Sequence, residues 1–303
     1  MCRINPRVDF AFKKLFGSEE NKDLLISLIN SVVNPKDQIT EIDLRNPYNF
    51  ADYKADKLSI LDIKAKDAKG IWFNVEMQVG EDFDFDKRSI YYWSKLVTSQ
   101  LTEGMMYKHL TKTICINFMD FDVIEHIEDF HSVYKILNAV SGKSDNMHDI
   151  FELHYLELRK FKKEIPQISS AIDRWMTFLT KAHQLDKRRL PKELSDDKAI
   201  VKAVEAVDRM FDEEERAIYQ VRLEKQMEFE SKIESAHEAG LAEGKAEGKA
   251  EGKAEGKAEG KAEGERTKAM EIAKSLLEIL DDDIIARKTG LPIDEIKKLR
   301  CPI

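Results

Sequence analysis

Between Leu58 and Gly80 the chain reads LSILDIKAKDAKGIWFNVEMQVG, two runs of alternating side chains around the turn signal Asp67-Ala68-Lys69-Gly70. Few folds accommodate such a stretch as anything but a β-hairpin. Side chains alternate across a strand, so Leu61, Ile63 and Ala65 share one face and Asp62, Lys64 and Lys66 the other. In the second run Ile71, Phe73, Val75, Met77 and Val79 make an apolar face, leaving Trp72, Asn74, Glu76 and Gln78 opposite. The hairpin therefore belongs inside a sheet covered on its apolar side, with carboxylates where Thr or Lys would be ordinary.

The turn decides whether those carboxylates meet. A loop of Ala68-Lys69-Gly70, with Gly70 in the left-handed position of a G1 bulge, pairs Asp67 with Ile71 and sets Asp62 opposite Glu76. A loop one residue longer sends them to opposite faces. Like charges so placed destabilise a strand pair unless something compensates them. A divalent cation is one compensation, because hard oxygen donors suit magnesium or manganese. The bland alternative is a solvated strand face on which Lys64 and Lys66 pair with the acids.

Around the hairpin the pattern is mixed. Asp9 to Val33 has helical spacing interrupted near Gly17-Ser18, with Ser18 placed to cap the second segment; Gln38 to Leu44 alternates like a strand. Phe85 to Leu110 reads as one long helix, Lys112 to Met119 as a buried strand, and HSVYKIL and DIFELHYLEL as further strands. The order predicts a mixed α/β domain over residues 1–160 and a helical subdomain over 161–235. Residues 236–265 are a Gly-Lys-Ala-Glu tetrad repeat with glycine at every fourth position from Gly240 to Gly264. Glycine weakens a helix that Ala, Glu and Lys favour, and no apolar seam is present, so a flexible or part-helical spacer is expected. Residues 266–303 recover helical periodicity. Ala286, Gly290 and Ile296 have helix-turn-helix spacing there, although Asp294 and Glu295 at the head of the last helix favour a packing or protein-contact role over DNA reading.

A length of 303 residues with 42% hydrophobic side chains can fill one large core or two modest ones. No run approaches a membrane span and the N-terminus has no signal-peptide pattern, so a cytoplasmic protein without membrane contact is expected. Cys2, Cys115 and Cys301 are scattered, and so are the histidines, so no thiolate zinc site is suggested and oxygen donors are expected for any metal. A net charge of −8 argues against non-specific nucleic-acid binding but allows a local basic cleft.

Three blocks in order, DFAFKKLFGSEENKDLLISLIN, LDIKAKDAKGIWFNVEMQV and YYWSKLVTSQLTEGMMY, resemble the Rpn-type recombination-promoting nuclease and transposase family of the PD-(D/E)XK nuclease superfamily. The spacer and the ARKTGLPIDEIKKL tail are also similar to that family's C-terminal region. The resemblance implies a restriction-endonuclease-like core, a mixed central sheet flanked by helices, followed by a helical region, a spacer and a helical tail. It further implies metal binding by Asp62 and Glu76, with Asp9 as an additional acid, and a magnesium- or manganese-dependent DNA endonuclease associated with recombination or mobile elements.

Gln78 stands where the superfamily usually has lysine, and a neutral amide can orient water but cannot supply charge to the phosphate. A second metal would replace that charge, or Lys13, Lys64 or Lys95 would, with Lys13 and Lys64 favoured. Gln100, Tyr92 and Tyr107 also match the family's block, as substrate or supporting contacts in the case of Gln100 and more often as packing in the case of the tyrosines. The rival readings are a catalytically silent DNA-binding protein and a helical interaction scaffold. A homodimer that cuts both strands is left open.

Overall fold

A computed structural model describes residues 4–45, 48–49, 59–60, 62–80, 82, 84–144 and 149–300. Leu61, assigned above to the apolar face, and Cys2 and Cys301 lie outside the described residues. The chain divides into two compact units, Met1–Glu230 and Ser231–Ile303.

In the first unit, helices α1 (Asp9–Phe16) and α2 (Lys22–Val33) precede strand β1 (Ile42–Arg45) and a small antiparallel pair, β2 (Tyr48–Asn49) and β3 (Ser59–Ile60). The hairpin β4 (Ile63–Asp67) and β5 (Trp72–Gln78) follows, then α3 (Phe85–Thr98), β6 (Thr113–Met119), β7 (His131–Lys135) and β8 (Phe151–Glu157). Helices α4 (Ala171–Lys181), α5 (Lys192–Ser195) and α6 (Lys198–Arg209) complete the chain up to α7, which begins at Glu213. The main sheet has six strands in the order β1-β4-β5-β6-β8-β7. Strand β6 runs parallel to both β5 and β8, while the outer pairings are antiparallel. A strand with parallel neighbours on both sides is covered on both faces, which is why TICINFM is buried throughout.

One face of the sheet carries Ile63, Ala65, Phe73, Val75, Met77, Ile116, Phe118 and Leu156 and packs with Phe12, Phe16, Leu28 and Trp175 from the helices into the principal core. The other face meets α3, where Phe85, Met119, Phe121 and Tyr155 form a smaller cluster. The alternation read from the hairpin is thus realised, with the apolar side against α1 and the acidic side toward α3.

Several local expectations change. Ser18 does not cap α2, because a 3-10 turn over Glu19–Asn21 intervenes and Asn21 takes the cap position. The long helix expected to reach Leu110 stops at Thr98: Gly104 has φ of 85°, and a 3-10 turn occupies Tyr107–His109. Hydroxyls of Thr98 and Ser99 bond back to carbonyls three residues earlier, and Gln100 turns to the start of β6, so the helical ladder ends there.

The tetrad repeat lies inside α7, which is helical from Glu213 to Leu276, in place of the flexible or part-helical spacer expected. Propagating a helix is far easier than nucleating one, and both ends of the repeat continue into ordered helix, so the glycine cost is carried without an apolar seam. In the second unit α8 (Asp282–Thr289) ends on Gly290 at φ of 72° and α9 (Ile293–Arg300) follows, around a core of Ala273, Ile285, Leu291 and Ile296. Asp281 takes the N-cap position of α8. Among the described residues no helix is long and apolar enough to cross a membrane.

Candidate active site

The turn sets the register as its residues require. The amide of Asp67 donates to the carbonyl of Ile71 at 3.0 Å and Gly70 has φ of 89°, so the three-residue loop is the one formed. Ile63 pairs with Val75 and Lys64 with Asn74, which carries Asp62, one residue before β4, opposite Glu76. Side chain and backbone then lock the two acids together. The amide of Asp62 donates to Glu76 Oε1 at 3.2 Å, and the amide of Met77 donates to Asp62 Oδ2 at 2.8 Å.

Both carboxylates are buried. Burial and the neighbouring Asp62 raise the Glu76 pKa to about 8, and burial raises that of Asp62 despite the attraction of Lys13. Lys13 Nζ lies 2.9 Å from Asp62 Oδ1 and 2.8 Å from Asp9 Oδ1, the latter one helical turn away on α1. Burial alone would favour its neutral amine, but Asp62 and Asp9 overcome that and hold the ammonium up at about 12. Asp9 therefore reaches the pair through Lys13. Its other oxygen accepts from Arg222 of α7 at 3.2 Å.

Gln78 is engaged on both ends of its amide. Nε2 donates to Glu76 Oε2 at 3.0 Å, and Oε1 accepts from Arg88, whose guanidinium is also paired with Asp82. The amide thus passes the influence of a cation to Glu76 where a lysine would deliver the charge itself. Arg88 lies in the first turns of α3, with its guanidinium 5.0 Å from the Phe85 ring centroid and 5.9 Å from that of Tyr92. Burial raises the Tyr92 pKa; Arg88 opposes the shift, while Glu76 and Asp62 add to it.

The other sequence candidates are placed elsewhere. Lys64 shares the acidic face, but its ammonium lies 5.1 Å from the Trp72 centroid, toward the turn end of the hairpin, where burial and then Arg45 lower its pKa. Lys95 lies over the Tyr91 ring at 5.8 Å. Gln100 is a fastener between the end of α3 and β6: it donates to Thr113 Oγ1 at 2.8 Å and accepts from the amide of Thr111 at 2.8 Å. Tyr107 is 83% exposed on the 3-10 turn, which places it neither in the core nor beside the acids. Cys115, on β6 behind Glu76, is a buried free thiol whose pKa burial pushes up, as suits an inert packing residue.

Arg88, Arg222 and Lys225 were not legible as members of this region. Arg88 could have been suspected from its i,i+4 relation to Tyr92 on a helix that follows Gln78. The two α7 cations depend on contacts across more than two hundred residues of sequence, and no local pattern announces them. A cleft of about 460 Å³ opens beside the acids, lined by Asp9, Asp62, Gln78, Val79, Arg222, Lys225, Gln226 and Phe229.

The donor set fits a hard divalent cation. Among the described residues no three or more His, Cys, Asp or Glu side chains form a metal cage. Two carboxylates from adjacent strands are what magnesium takes when water and phosphate complete its shell. Burial raises both acids, and for Glu76 the neighbouring Asp62 adds to it, a cost that a bound cation would offset.

A mixed six-stranded sheet with helices on both faces, carrying an acid pair on its central hairpin, defines a PD-(D/E)XK nuclease core. Residues 6–236 match the family described as PD-(D/E)XK nuclease family transposase, and the chain belongs to that family. The tail resemblance noted above lies beyond the matched residues. No curated protein and no solved structure matches the chain.

Proposed function

We propose that the protein is a magnesium- or manganese-dependent DNA endonuclease acting in recombination or on mobile elements. The observation that carries this reading is the buried pairing of Asp62 and Glu76 across β4 and β5, with a backbone bond from each strand to the other's carboxylate. Asp62 and Glu76 would hold the cation, which when bound supplies Lewis acidity to the phosphate and a more acidic water as nucleophile. Lys13 holds the Asp62 carboxylate in place and keeps a positive charge beside it across the physiological pH range. Gln78 fixes the second oxygen of Glu76 and is itself fixed by Arg88, so neither carboxylate must reorganise when substrate arrives.

The test is cutting of supercoiled plasmid with magnesium or manganese. Wild-type protein should nick it, and Asp62→Asn and Glu76→Gln should each abolish nicking while leaving circular dichroism unchanged. Cutting retained by either variant would remove these residues from the site. Metal-independent DNA binding without cutting would favour a catalytically silent member of the family, a reading to which Gln78 in the lysine position lends support.

A further inference from the structure

The first turns of α7 are docked on the core by their own side chains. Phe211, just before α7, stacks on Phe10 with centroids 5.2 Å apart, Tyr219 Oη accepts from the amide of Asn5 at 2.8 Å, and Glu215 pairs with Lys14. Arg222, Lys225, Gln226 and Phe229 continue along one face at i, i+3, i+4 and i+7, the spacing that in a docked helix ordinarily carries apolar residues. Here the stripe turns cationic where it passes the acid cleft and returns to an aromatic at Phe229.

The strand that carries Gln78 is shaped to receive it. Gly80 has φ of +90°, and a Cβ there would lie 2.6 Å from Phe229 Cε1 and 3.0 Å from Cδ1, so only glycine allows this approach. Arg222 is not committed to Asp9: both side chains are about half exposed, and a pair of that kind in water exchanges readily for another oxyanion. Its guanidinium also lies 5.7 Å from the Phe10 centroid, which holds the fork at the cleft mouth. The cations on the sheet side are already engaged: Lys13 is bound to Asp9 and Asp62, and Arg88 to Gln78 and Asp82.

We propose that Arg222 to Phe229 of α7 forms the substrate-side wall of the cleft, with Arg222 and Lys225 contacting phosphates of a DNA strand laid across Asp62 and Gln78. The assignment rests on the nuclease reading for the identity of the polyanion. Arginine grips a phosphate by two donors and lysine as a point charge, so the pair spans neighbouring phosphates without reading bases.

The experiment is fluorescence anisotropy of the full chain with a short labelled DNA duplex, across a salt series, in the Glu76→Gln background so that no strand is cut. Arg222→Ala with Lys225→Ala should weaken binding by about tenfold and lower the salt slope by about 2, one for each phosphate that is no longer neutralised. Arg222→Lys with Lys225→Arg should keep the slope, and removal of two charges outside the cleft, Lys187→Ala with Arg188→Ala, should leave binding unchanged. Unaltered affinity and slope in the alanine pair would overturn the wall, as would plasmid cutting raised above wild type when Glu76 is intact, since α7 would then be a barrier. Wild-type protein that binds through these two residues yet cuts nothing would leave the wall standing and remove the nuclease reading. Wild-type protein that cuts plasmid, with the alanine pair binding normally, would do the reverse. A chain that binds no DNA would remove both.

Discussion

Two glutamates are buried in the same sheet and are held in opposite electrostatic states. Glu152 on β8 is surrounded by donors: His154 Nε2 at 2.8 Å, Lys112 at 2.8 Å and Lys135 at 3.0 Å. Burial would raise its pKa, but hydrogen bonds from His154, Lys112 and Lys135 overcome that and hold it well below the usual carboxylate range. Glu76 on β5 is the more deeply buried of the two, and receives only amide donors, so burial first and the facing Asp62 second raise its pKa to about 8. A buried acid that serves the fold comes with its cations. One that lacks them is the arrangement the proposed cation would complete, and that is the difference between the two ends of this sheet.

The largest test of the contrast is substitution. Glu76→Gln should cost at least about 10³-fold in plasmid cutting, with a melting temperature equal to or above wild type, because near neutral pH Glu76 must take up a proton to be buried and Gln need not. Glu152→Gln should do the reverse. It leaves Lys112 with Asp149 alone and removes the carboxylate held by Lys135 and His154, and should destabilise the protein by about 2 kcal/mol in urea unfolding, below the range for a fully buried pair because the lysines are partly exposed. Cutting per folded molecule should persist. Matching outcomes for the two variants would erase the distinction.

Lys13→Met comes next. It removes the ammonium shared by Asp62 and Asp9 and should reduce cutting by about 10²-fold, with partial recovery in Lys13→Arg, measured as initial nicking rate. Lys64→Met, whose ammonium sits over Trp72, should leave that rate within about threefold of wild type, the scatter expected away from reacting groups.

The smallest effect is on pH dependence, and its sign differs between the two acids. Glu76 has a folded pKa above its ordinary value of 4.5, so its neutral form stabilises the fold at low pH, and that stability is lost as pH rises toward about 8. Glu152 is depressed, so its contribution is present above about 4.5 and is lost as pH falls below it. Melting curves in chelator should show both limbs. Glu76→Gln should flatten the limb between 4.5 and about 8, and Glu152→Gln the acid one.

What was legible in the sequence follows from how local the determining physics is. Asp67-Ala68-Lys69-Gly70 decides the hairpin register within a few residues, so the sequence reduced the meeting of Asp62 and Glu76 to a choice between two loop lengths. Strands β7 and β8 were legible for the same reason, as short apolar runs between turn residues. The end of α3 was not, because hydroxyls and Gln100 compete with the helix through contacts to Thr111 and Thr113. Lys13 and Lys64 were favoured to supply the charge of the usual lysine, and which of them lies beside Asp62 depends on the packing of α1 against the sheet. Arg88 behind Gln78, and the docking of α7 on Gly80, rest on long-range geometry that no periodicity encodes.

The most direct measurement is calorimetric titration of the full chain with manganese near neutral pH, repeated in two buffers of different ionisation enthalpy. The account predicts binding accompanied by proton release, as a cation displaces the proton that burial holds on Glu76, and loss of both in Glu76→Gln. Absence of binding by wild-type protein, or equal binding by Glu76→Gln, would contradict it.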